Sequence, residues 1–199
     1  PVDSEHFSIW YALQNNKSTN IEKLYLTASG GPLLNVSFSN FDKLTIEKII
    51  KHPNWKMGAK ISVDSSTMVN KIFEIIEAKK IFNLSYRQLE ILIHPKSYVH
   101  SIIKFKDGMI KIIAHETTME IPILNTLNPV NLSNFESKKI NLKKLNQLKL
   151  SKISKKQFPL TKIINHMPEN DSLFETILVT INDELVRLFL NKKISYTNL

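Results

Sequence analysis

Residues 52–71 read HPNWKMGAKISVDSSTMVNK, and most of the predicted fold follows from this stretch. Pro53 and Gly58 bound its first part, which we predict to be a loop because both residues interrupt regular structure. The apolar residues of 60–66 alternate as in a strand, and a helix is predicted at 67–82. Its apolar residues have the spacing of a core-facing stripe, at Met68, Ile72, Ile75, Ile76 and Phe82.

Further strands and helices are predicted on both sides of this stretch. LYLTA at 24–28 is typical of a short buried strand, and the turn-forming Ser29-Gly30-Gly31-Pro32 follows it. Other apolar runs predict strands at 89–94, 99–105 and 109–116. Helical patterns occur at 6–16, 45–51, 159–167 and 171–190.

These elements predict an α/β (α+β) protein in three parts. Residues 1–125 form a catalytic domain with a mixed sheet, and residues 126–155 form a Lys- and Asn-rich linker. Residues 156–199 form a small, all-helical C-terminal domain, which we expect to be truncated.

The composition narrows the possible classes of function. No apolar run approaches the roughly 20 residues that span a bilayer, so no membrane partner is expected. The chain has no cysteine, so any metal must be held by oxygen or imidazole.

The net charge is +9, and most of the excess lies at 136–162, with nine lysines and one acid. Such a run is typical of a solvated segment, but it also supports an alternative function as a basic module that binds nucleic acid or an anionic surface.

Two groups of polar residues have the spacing of a binding site. Asp3 and Glu5 are two residues apart, so on an extended segment both carboxylates point to one side, as a hard divalent cation requires. Asn70, Lys71 and Glu74 project from one flank of the predicted helix. The alternatives are two solvated acids and a surface Lys71–Glu74 ion pair.

The start of the helix at 67–82 is a candidate phosphate site. Its N-cap is expected among Ser65, Ser66 and Thr67. Unpaired N–H groups and the positive end of the helix dipole favour a phosphate near Ser65. Ser65 as an ordinary cap is the alternative.

One histidine lies in a predicted loop, and three lie on predicted strands. His52 and Trp55 lie in the loop at 52–58 and can form a lid, in which the indole covers a ligand and the imidazole contacts an anion. A loop whose tryptophan packs on the protein is the alternative. His94, His100 and His115 lie on apolar strands and are predicted to be hydrogen-bonded core residues.

Five motifs occur in a characteristic order along the chain. They are PVDSEH at 1–6, ASGGP at 28–32, the stretch at 52–71, IFEIIEA at 72–78 and LIHPKSYVHS at 92–101. In this order they resemble the 1-deoxy-D-xylulose 5-phosphate reductoisomerase family, whose enzymes use NADPH in non-mevalonate isoprenoid synthesis. The resemblance beyond residue 125 rests mainly on QFPL and the final helix.

The resemblance implies a role for eleven residues. The metal ligands would be Asp3, Glu5 and Glu74. The residues that contact the substrate or its phosphate would be Ser4, Ser29, His52, Ser65, Asn70 and Lys71. Trp55 would be the lid over the substrate, and Met119 would line the nicotinamide side of the pocket.

The resemblance also implies an activity and its partners. The enzyme would rearrange and reduce 1-deoxy-D-xylulose 5-phosphate to 2-C-methyl-D-erythritol 4-phosphate, with NADPH and with Mg²⁺, Mn²⁺ or Co²⁺. A homodimer is implied, in the cytoplasm of a bacterium or in a plastid-type organelle.

Some features depart from the family pattern. No GxGxxG-like stretch follows a strand, so most of the NADPH site is expected upstream. Because the chain begins at Pro1, inside the first motif, we expect it to be a fragment that is inactive alone. Thr180–Glu184 replaces a usual Asn-Ala-Ala-Asn-Glu stretch, and Lys96 replaces a common Gln.

Overall fold

A computed structural model describes residues 1–14, 18–127 and 139–199 of the chain. Part of the predicted linker at 126–155 and the last residues of the predicted helix at 6–16 therefore lie outside the described residues. The described helices contain none that is both long enough and apolar enough to cross a bilayer.

A five-stranded mixed sheet forms the centre of the described structure. Its strands are β1 Ile21–Ala28, β2 Leu89–Ile93, β3 Val99–Phe105, β4 Ile110–Ala114 and β5 Ser151–Lys152. They are ordered β4-β3-β1-β2-β5, with β1 parallel to β2 and the other pairs antiparallel. The predicted mixed sheet is thus confirmed, and β5 adds a short edge strand within the predicted linker.

Helices cover one face of this sheet and extend beyond it. They are α1 Ser4–Ala12, α2 Ile46–Ile49, α3 Ala59–Thr67, α4 Val69–Phe82, α5 Glu120–Leu127, α6 Leu142–Asn146 and α7 Phe174–Leu190. Helix α1 packs on β3 and β4, and α4 packs on β1 and β2. Residues 159–166, predicted to be helical, form a 3₁₀ helix.

The prediction of a strand at 60–66 is wrong, because these residues belong to α3. Alternation over so few residues also fits a helix that buries one flank, and here Val63 is buried. Ser62 donates a side-chain hydrogen bond to the Gly58 carbonyl at 2.8 Å, and Lys60 pairs with Asp64 one turn away at 2.8 Å. These local bonds fit helical geometry.

The predicted N-cap of the next helix is also wrong. Met68 ends α3 and begins α4 with a left-handed backbone, at φ 67°. A non-glycine residue in that region is uncommon and marks a sharp change of direction. Helices α3 and α4 therefore meet at a corner, and Ser65 lies in the last turn of α3, not at the start of a helix.

Two hydrophobic clusters hold the layers together. The larger joins the sheet to α1 and α4 and includes Phe158 and Met167 from the C-terminal part. The smaller cluster joins residues 1–125 to residues 156–199. It contains Leu33, Phe41, Ile49 and Val63 from the first range and Val186, Phe189 and Tyr196 from the second. Residues of the predicted C-terminal domain thus share both clusters with the rest of the chain, and the three-part division stays a prediction.

A buried polar contact joins α7 to α3. Asn182 donates a hydrogen bond from Nδ2 to Oδ1 of Asp64 at 2.9 Å, and both side chains are buried. Lys60 bonds to the other oxygen of Asp64 at 2.8 Å and to Asp183 at 2.9 Å. Asn182 and Asp183 lie in the stretch at 180–184 that departs from the family pattern, and they connect the final helix to α3.

We expect Asn182→Leu to lower the free energy of unfolding by about 1–3 kcal/mol, because a buried carboxylate loses a hydrogen-bond donor. Urea unfolding measures the change. Thr180→Ala, on the exposed side of the same helix, is the matched control and should cost no more than about 0.5 kcal/mol. Equal effects of the two substitutions would contradict the proposed anchoring role of Asn182.

Candidate functional site

A cavity of about 290 Å³ lies where α1, the loop after β1, the loop at 52–58 and the corner between α3 and α4 meet. All eleven residues singled out from the sequence line it: Asp3, Ser4, Glu5, Ser29, His52, Trp55, Ser65, Asn70, Lys71, Glu74 and Met119. The structure thus brings the predicted residues together. Their individual roles stay predictions.

Asp3 is the N-cap of α1, which corrects the expectation that Asp3 and Glu5 share an extended segment. Its Oδ1 accepts hydrogen bonds from the backbone N–H of Glu5 at 3.0 Å and of His6 at 3.1 Å. Glu5 therefore lies in the first helical turn. An acidic cap and an acidic first turn both suit the positive end of the helix dipole.

The buried His6 links this cap to α4. One ring nitrogen, Nε2, lies 3.0 Å from the Glu74 carbonyl oxygen, and Nδ1 lies 3.1 Å from Oδ1 of Asp3. Burial alone would raise the pKa of Asp3, but the hydrogen bond and charge of His6 and the charge of Lys71 lower it to about 2. Asp3 is therefore ionised at neutral pH.

Three carboxylates converge at one end of the cavity. Oxygens of Asp3, Glu5 and Glu74 lie within 4.8 Å of one another. Burial, together with the charges of Glu5 and Asp3, raises the pKa of Glu74 well above its ordinary value, although Lys71 opposes this. Such crowding of buried negative charge is unfavourable unless a cation is bound among the oxygens.

Lys71 lies among these acids, not at the phosphate end where the sequence placed it. Its Nζ donates to Oε1 of Glu5 at 2.9 Å and to Oε2 of Glu74 at 2.6 Å. Asn70 donates from Nδ2 to Oε1 of Glu74 at 2.6 Å, and the Ser4 hydroxyl donates to Oε2 of Glu5. The Lys71–Glu74 ion pair that the sequence offered as an alternative is therefore present, although it is buried and not on the surface, and the substrate contact that the resemblance implies for Lys71 stays a prediction.

The donor set fits a hard divalent cation. Three carboxylates supply only oxygen ligands, the kind that Mg²⁺ and Mn²⁺ prefer, and they leave open positions for substrate oxygens. One ammonium offsets only part of their negative charge. The structure thus favours the metal interpretation of Asp3 and Glu5 over two solvated acids.

The opposite end of the cavity presents hydrogen-bond donors. His52 accepts the backbone N–H groups of Asn54 at 3.2 Å and of Trp55 at 3.0 Å at Nδ1. Its proton is therefore on Nε2, which lies 3.1 Å from the Ser29 hydroxyl oxygen. Ser29 also accepts the Gly31 N–H at 3.0 Å, which leaves its own O–H free to donate to a ligand.

Glycine is needed in the loop that carries Ser29. Gly31 has a φ of +60°, and a Cβ there would lie 2.9 Å from the Ser65 carbonyl oxygen. The loop can therefore approach the last turn of α3 only without a side chain at this position. This close approach brings Ser65 to the cavity from the last turn of α3, whereas the sequence predicted that Ser65 lies at the start of a helix.

The loop at 52–58 is tied to the segment after β2. Asn54 donates from Nδ2 to the Pro95 carbonyl and to the Ser97 hydroxyl, both at 2.8 Å. Trp55 lines the cavity and is partly buried, and Met119 lines it with 38% of its surface exposed. The lid role of Trp55 stays a prediction.

Several residues of the cavity were not singled out from the sequence. They are Ala28, Gly30, Lys56, Met57, Ile61, Met68 and Ser97. Six of them lie within ASGGP or the stretch at 52–71, and Ser97 lies within LIHPKSYVHS, so those motifs carried the signal. Ser97 is buried with a φ of +48°, a backbone conformation that no local pattern announced.

His94, His100 and His115 are buried as predicted, but only His100 lies on a strand, because His94 follows the end of β2 and His115 follows the end of β4. His100 stacks on His115 at a centroid distance of 3.7 Å and lies 3.3 Å, through Nε2, from the His115 carbonyl. His94 and His115 each find a backbone carbonyl partner through Nδ1, while their Nε2 atoms have no partner in the described structure. The prediction that these histidines are fully hydrogen-bonded is therefore only partly correct.

The fold and the cavity define a class of α/β protein in which a carboxylate cluster that fits a divalent cation lies beside hydrogen-bond donors that suit an anion. Comparison with known proteins gives the family. A model described as the 1-deoxy-D-xylulose 5-phosphate reductoisomerase C-terminal domain matches residues 1–82, and one described as the DXP reductoisomerase C-terminal domain matches residues 115–199. Together they span most of the chain, which therefore belongs to the 1-deoxy-D-xylulose 5-phosphate reductoisomerase family.

Individual relatives agree. The reductoisomerase of Pelagibacter ubique is 56% identical over 199 residues, and that of Clostridium perfringens (strain 13) is 41% identical over 196 residues. These alignments cover 100% and 98% of this chain and 51% of each relative. The chain thus spans about half the length of the curated relatives that it matches.

Solved structures show the same architecture. A DOX-P reductoisomerase in complex with NADPH, fosmidomycin and magnesium superposes with a TM-score of 0.88 at 34% identity. The Zymomonas mobilis enzyme in complex with NADPH gives a TM-score of 0.88 at 31% identity. Each match covers 100% of this chain and 51% of the other.

We predict that His52 is neutral at pH 7 with the proton on Nε2. Burial disfavours the imidazolium, and the Lys71 charge adds to this, so the pKa of His52 falls from 6.5 to about 4. The unfolded chain then binds a proton that the folded chain does not between pH 6.5 and 4. The free energy of unfolding therefore falls as the pH is lowered through this window.

A ¹⁵N NMR titration of the histidine rings measures this pKa, with His52→Asn to identify the signal. Inorganic phosphate bound beside Nε2 should raise the pKa, because an anion stabilises the imidazolium. A pKa near 6.5 in the free protein would contradict the effect of burial and of the Lys71 charge on His52, and a proton on Nδ1 would contradict the hydrogen bonds from Asn54 and Trp55.

Proposed function

We propose that this chain forms the metal- and substrate-binding half of an NADPH-dependent reductoisomerase. The reaction would convert 1-deoxy-D-xylulose 5-phosphate to 2-C-methyl-D-erythritol 4-phosphate. The observation that carries the proposal is the single cavity in which three carboxylates face one end and hydrogen-bond donors face the other. Solved relatives with magnesium, NADPH and fosmidomycin support it.

At the acidic end, Asp3, Glu5 and Glu74 would hold the divalent ion. When bound, such an ion supplies Lewis-acid polarisation of substrate oxygens. The Ser4 hydroxyl lies beside Glu5 and would contact the substrate hydroxyls. His6 keeps Asp3 ionised and connects its cap to the Glu74 backbone, which fixes the separation of two ligands on different helices.

At the other end, Ser29 and His52 would donate to the phosphate, with Ser65 beside them. Asn70 and Lys71, which bond to Glu74 in this structure, would contact the substrate from the acidic end. The Ser29 O–H is free to donate to the anion, and His52 is oriented by backbone N–H groups at Nδ1 with its Nε2–H on Ser29, so little ordering is needed when the anion binds beside this pair. Phosphate contacts far from the reacting carbons position the substrate. Trp55 would then cover it, and Met119 would face the nicotinamide.

NADPH would bind mostly to the half of the relatives that this chain does not match. We further propose a homodimer for the whole enzyme and a cytoplasmic location, in a bacterium or a plastid-type organelle. The division into a catalytic part at 1–125, a linker at 126–155 and a helical part at 156–199 belongs to the same proposal.

Glu74→Gln tests the metal site in the 199-residue chain itself. We expect Mn²⁺ affinity, measured by electron paramagnetic resonance, to fall by at least about tenfold, because one of three charged oxygen ligands is neutralised. Glu90→Gln, which removes an acid paired with Lys23 on the sheet, is the matched control.

The same substitution tests the activity in a chimera. This chain, joined behind the unmatched first half of the Pelagibacter ubique relative, should oxidise NADPH with 1-deoxy-D-xylulose 5-phosphate. Glu74→Gln should lower kcat by about 100-fold or more. Near-normal turnover in that variant would overturn the assignment, and the chain alone should show none.

A further inference from the structure

Lys71 bonds directly to the proposed metal ligands. Its side chain is buried, with 7% of its surface exposed, and its ammonium bridges Oε1 of Glu5 and Oε2 of Glu74. Burial alone would lower its pKa, but the charges of Glu5, Glu74 and Asp3 raise it above the ordinary value. The ammonium is therefore a permanent positive charge among the acids.

The ammonium and a divalent ion would share two carboxylates. The ammonium lies 2.9 Å from Oε1 of Glu5 and 2.6 Å from Oε2 of Glu74, and Ser4 and Asn70 donate to the second oxygen of each. Oxygens bind divalent ions at about 2.0–2.6 Å, so an ion on these carboxylates would lie beside the ammonium. Repulsion between the two cations disfavours their joint occupancy of the acidic end.

Glu74 also holds a second donor of the cavity. Asn70 donates to the Glu74 oxygen that Lys71 does not use, at 2.6 Å. Both Asn70 and Lys71 line the cavity that contains Ser29 and His52. The Lys71 charge already contributes to the low pKa of His52, so the ammonium acts electrostatically on the donor-rich end. Its long, flexible side chain can adopt other rotamers within the same cavity.

We propose that Lys71 is an exchangeable internal cation that couples the two ends of the cavity. A divalent ion that binds Asp3, Glu5 and Glu74 displaces the ammonium, which then turns with Asn70 toward the donor-rich end formed by Ser29 and His52. Metal and phosphate therefore promote each other's binding. The inference rests on the proposed function, because it requires the metal site.

Coupling between two ligands is reciprocal and is measured as a ratio of affinities. Attraction between a bound metal and a phosphate produces some coupling without any movement of Lys71, so coupling in the wild-type chain alone decides nothing. If the exchange occurs, the coupling must depend on Lys71 and not on other positive charges of the cavity.

The test measures Mn²⁺ affinity of the 199-residue chain with and without inorganic phosphate. In the wild type, we expect phosphate to tighten Mn²⁺ binding by about tenfold. Lys71→Met should bind Mn²⁺ about tenfold more tightly without phosphate, because the competing cation is gone, and the coupling should fall below about twofold. Association of Mn²⁺ with phosphate in solution is the same for every variant and cancels in the comparison.

Lys56→Met is the matched control. Lys56 lines the same cavity and is exposed, and none of the hydrogen bonds to the three acids comes from it. Its removal takes away the same charge and should leave the tenfold coupling in place. Loss of coupling in both variants would assign the effect to net charge and overturn the exchange.

Two further outcomes separate the inference from the proposed function. If Lys71→Met keeps the wild-type coupling while Glu74→Gln weakens Mn²⁺ binding, the exchange is wrong and the metal site stands. If the wild type binds no Mn²⁺, or Glu74→Gln binds it unchanged, the metal site itself fails.

A second measurement needs no variant and covers the case in which Lys71→Met does not fold. The ¹⁵N signal of the Lys71 ammonium in the wild-type chain should shift when Mg²⁺ is added and shift again when inorganic phosphate follows. A signal unchanged by saturating Mg²⁺ would overturn the exchange.

Discussion

The contact between the first turns of α1 and α4 is the constraint on which the site depends. It places Glu5 and Glu74, separated by 69 positions in sequence, on one buried ammonium. Burying several acids is unfavourable unless cations and donors surround them. Here the cation is Lys71, and the hydrogen-bonding partners are Asn70, Ser4 and His6. The three carboxylates still outnumber the one ammonium, so one end of the cavity keeps an excess of negative charge.

The surrounding fold serves this contact. The left-handed Met68 turns the chain between α3 and α4, so that Asn70, Lys71 and Glu74 face α1 while Ser65 faces the glycine loop. Gly31 lets that loop approach α3 closely. Because Ser29 directly follows β1 and Asp3 caps α1, the sheet and the helix position these two residues before any ligand binds.

Much of this could be predicted from the sequence. Strand periodicity indicated β1 to β4, and the five motifs contain ten of the eleven residues expected in the cavity, all except Met119. Local patterns could not decide whether 60–66 is a strand or a helix, because the outcome depends on the burial of Val63 and on side-chain bonds to Gly58. The position of Lys71 was also missed, since it depends on Glu5, a residue distant in sequence.

We propose that Asp3, Glu5 and Glu74 hold one divalent cation, and anomalous scattering from crystals of the chain soaked in Mn²⁺ tests this most directly. We expect one strong peak, about 2–2.6 Å from an oxygen of each of the three carboxylates. A peak elsewhere, with the Lys71 ammonium still bonded to Glu5 and Glu74, would contradict it.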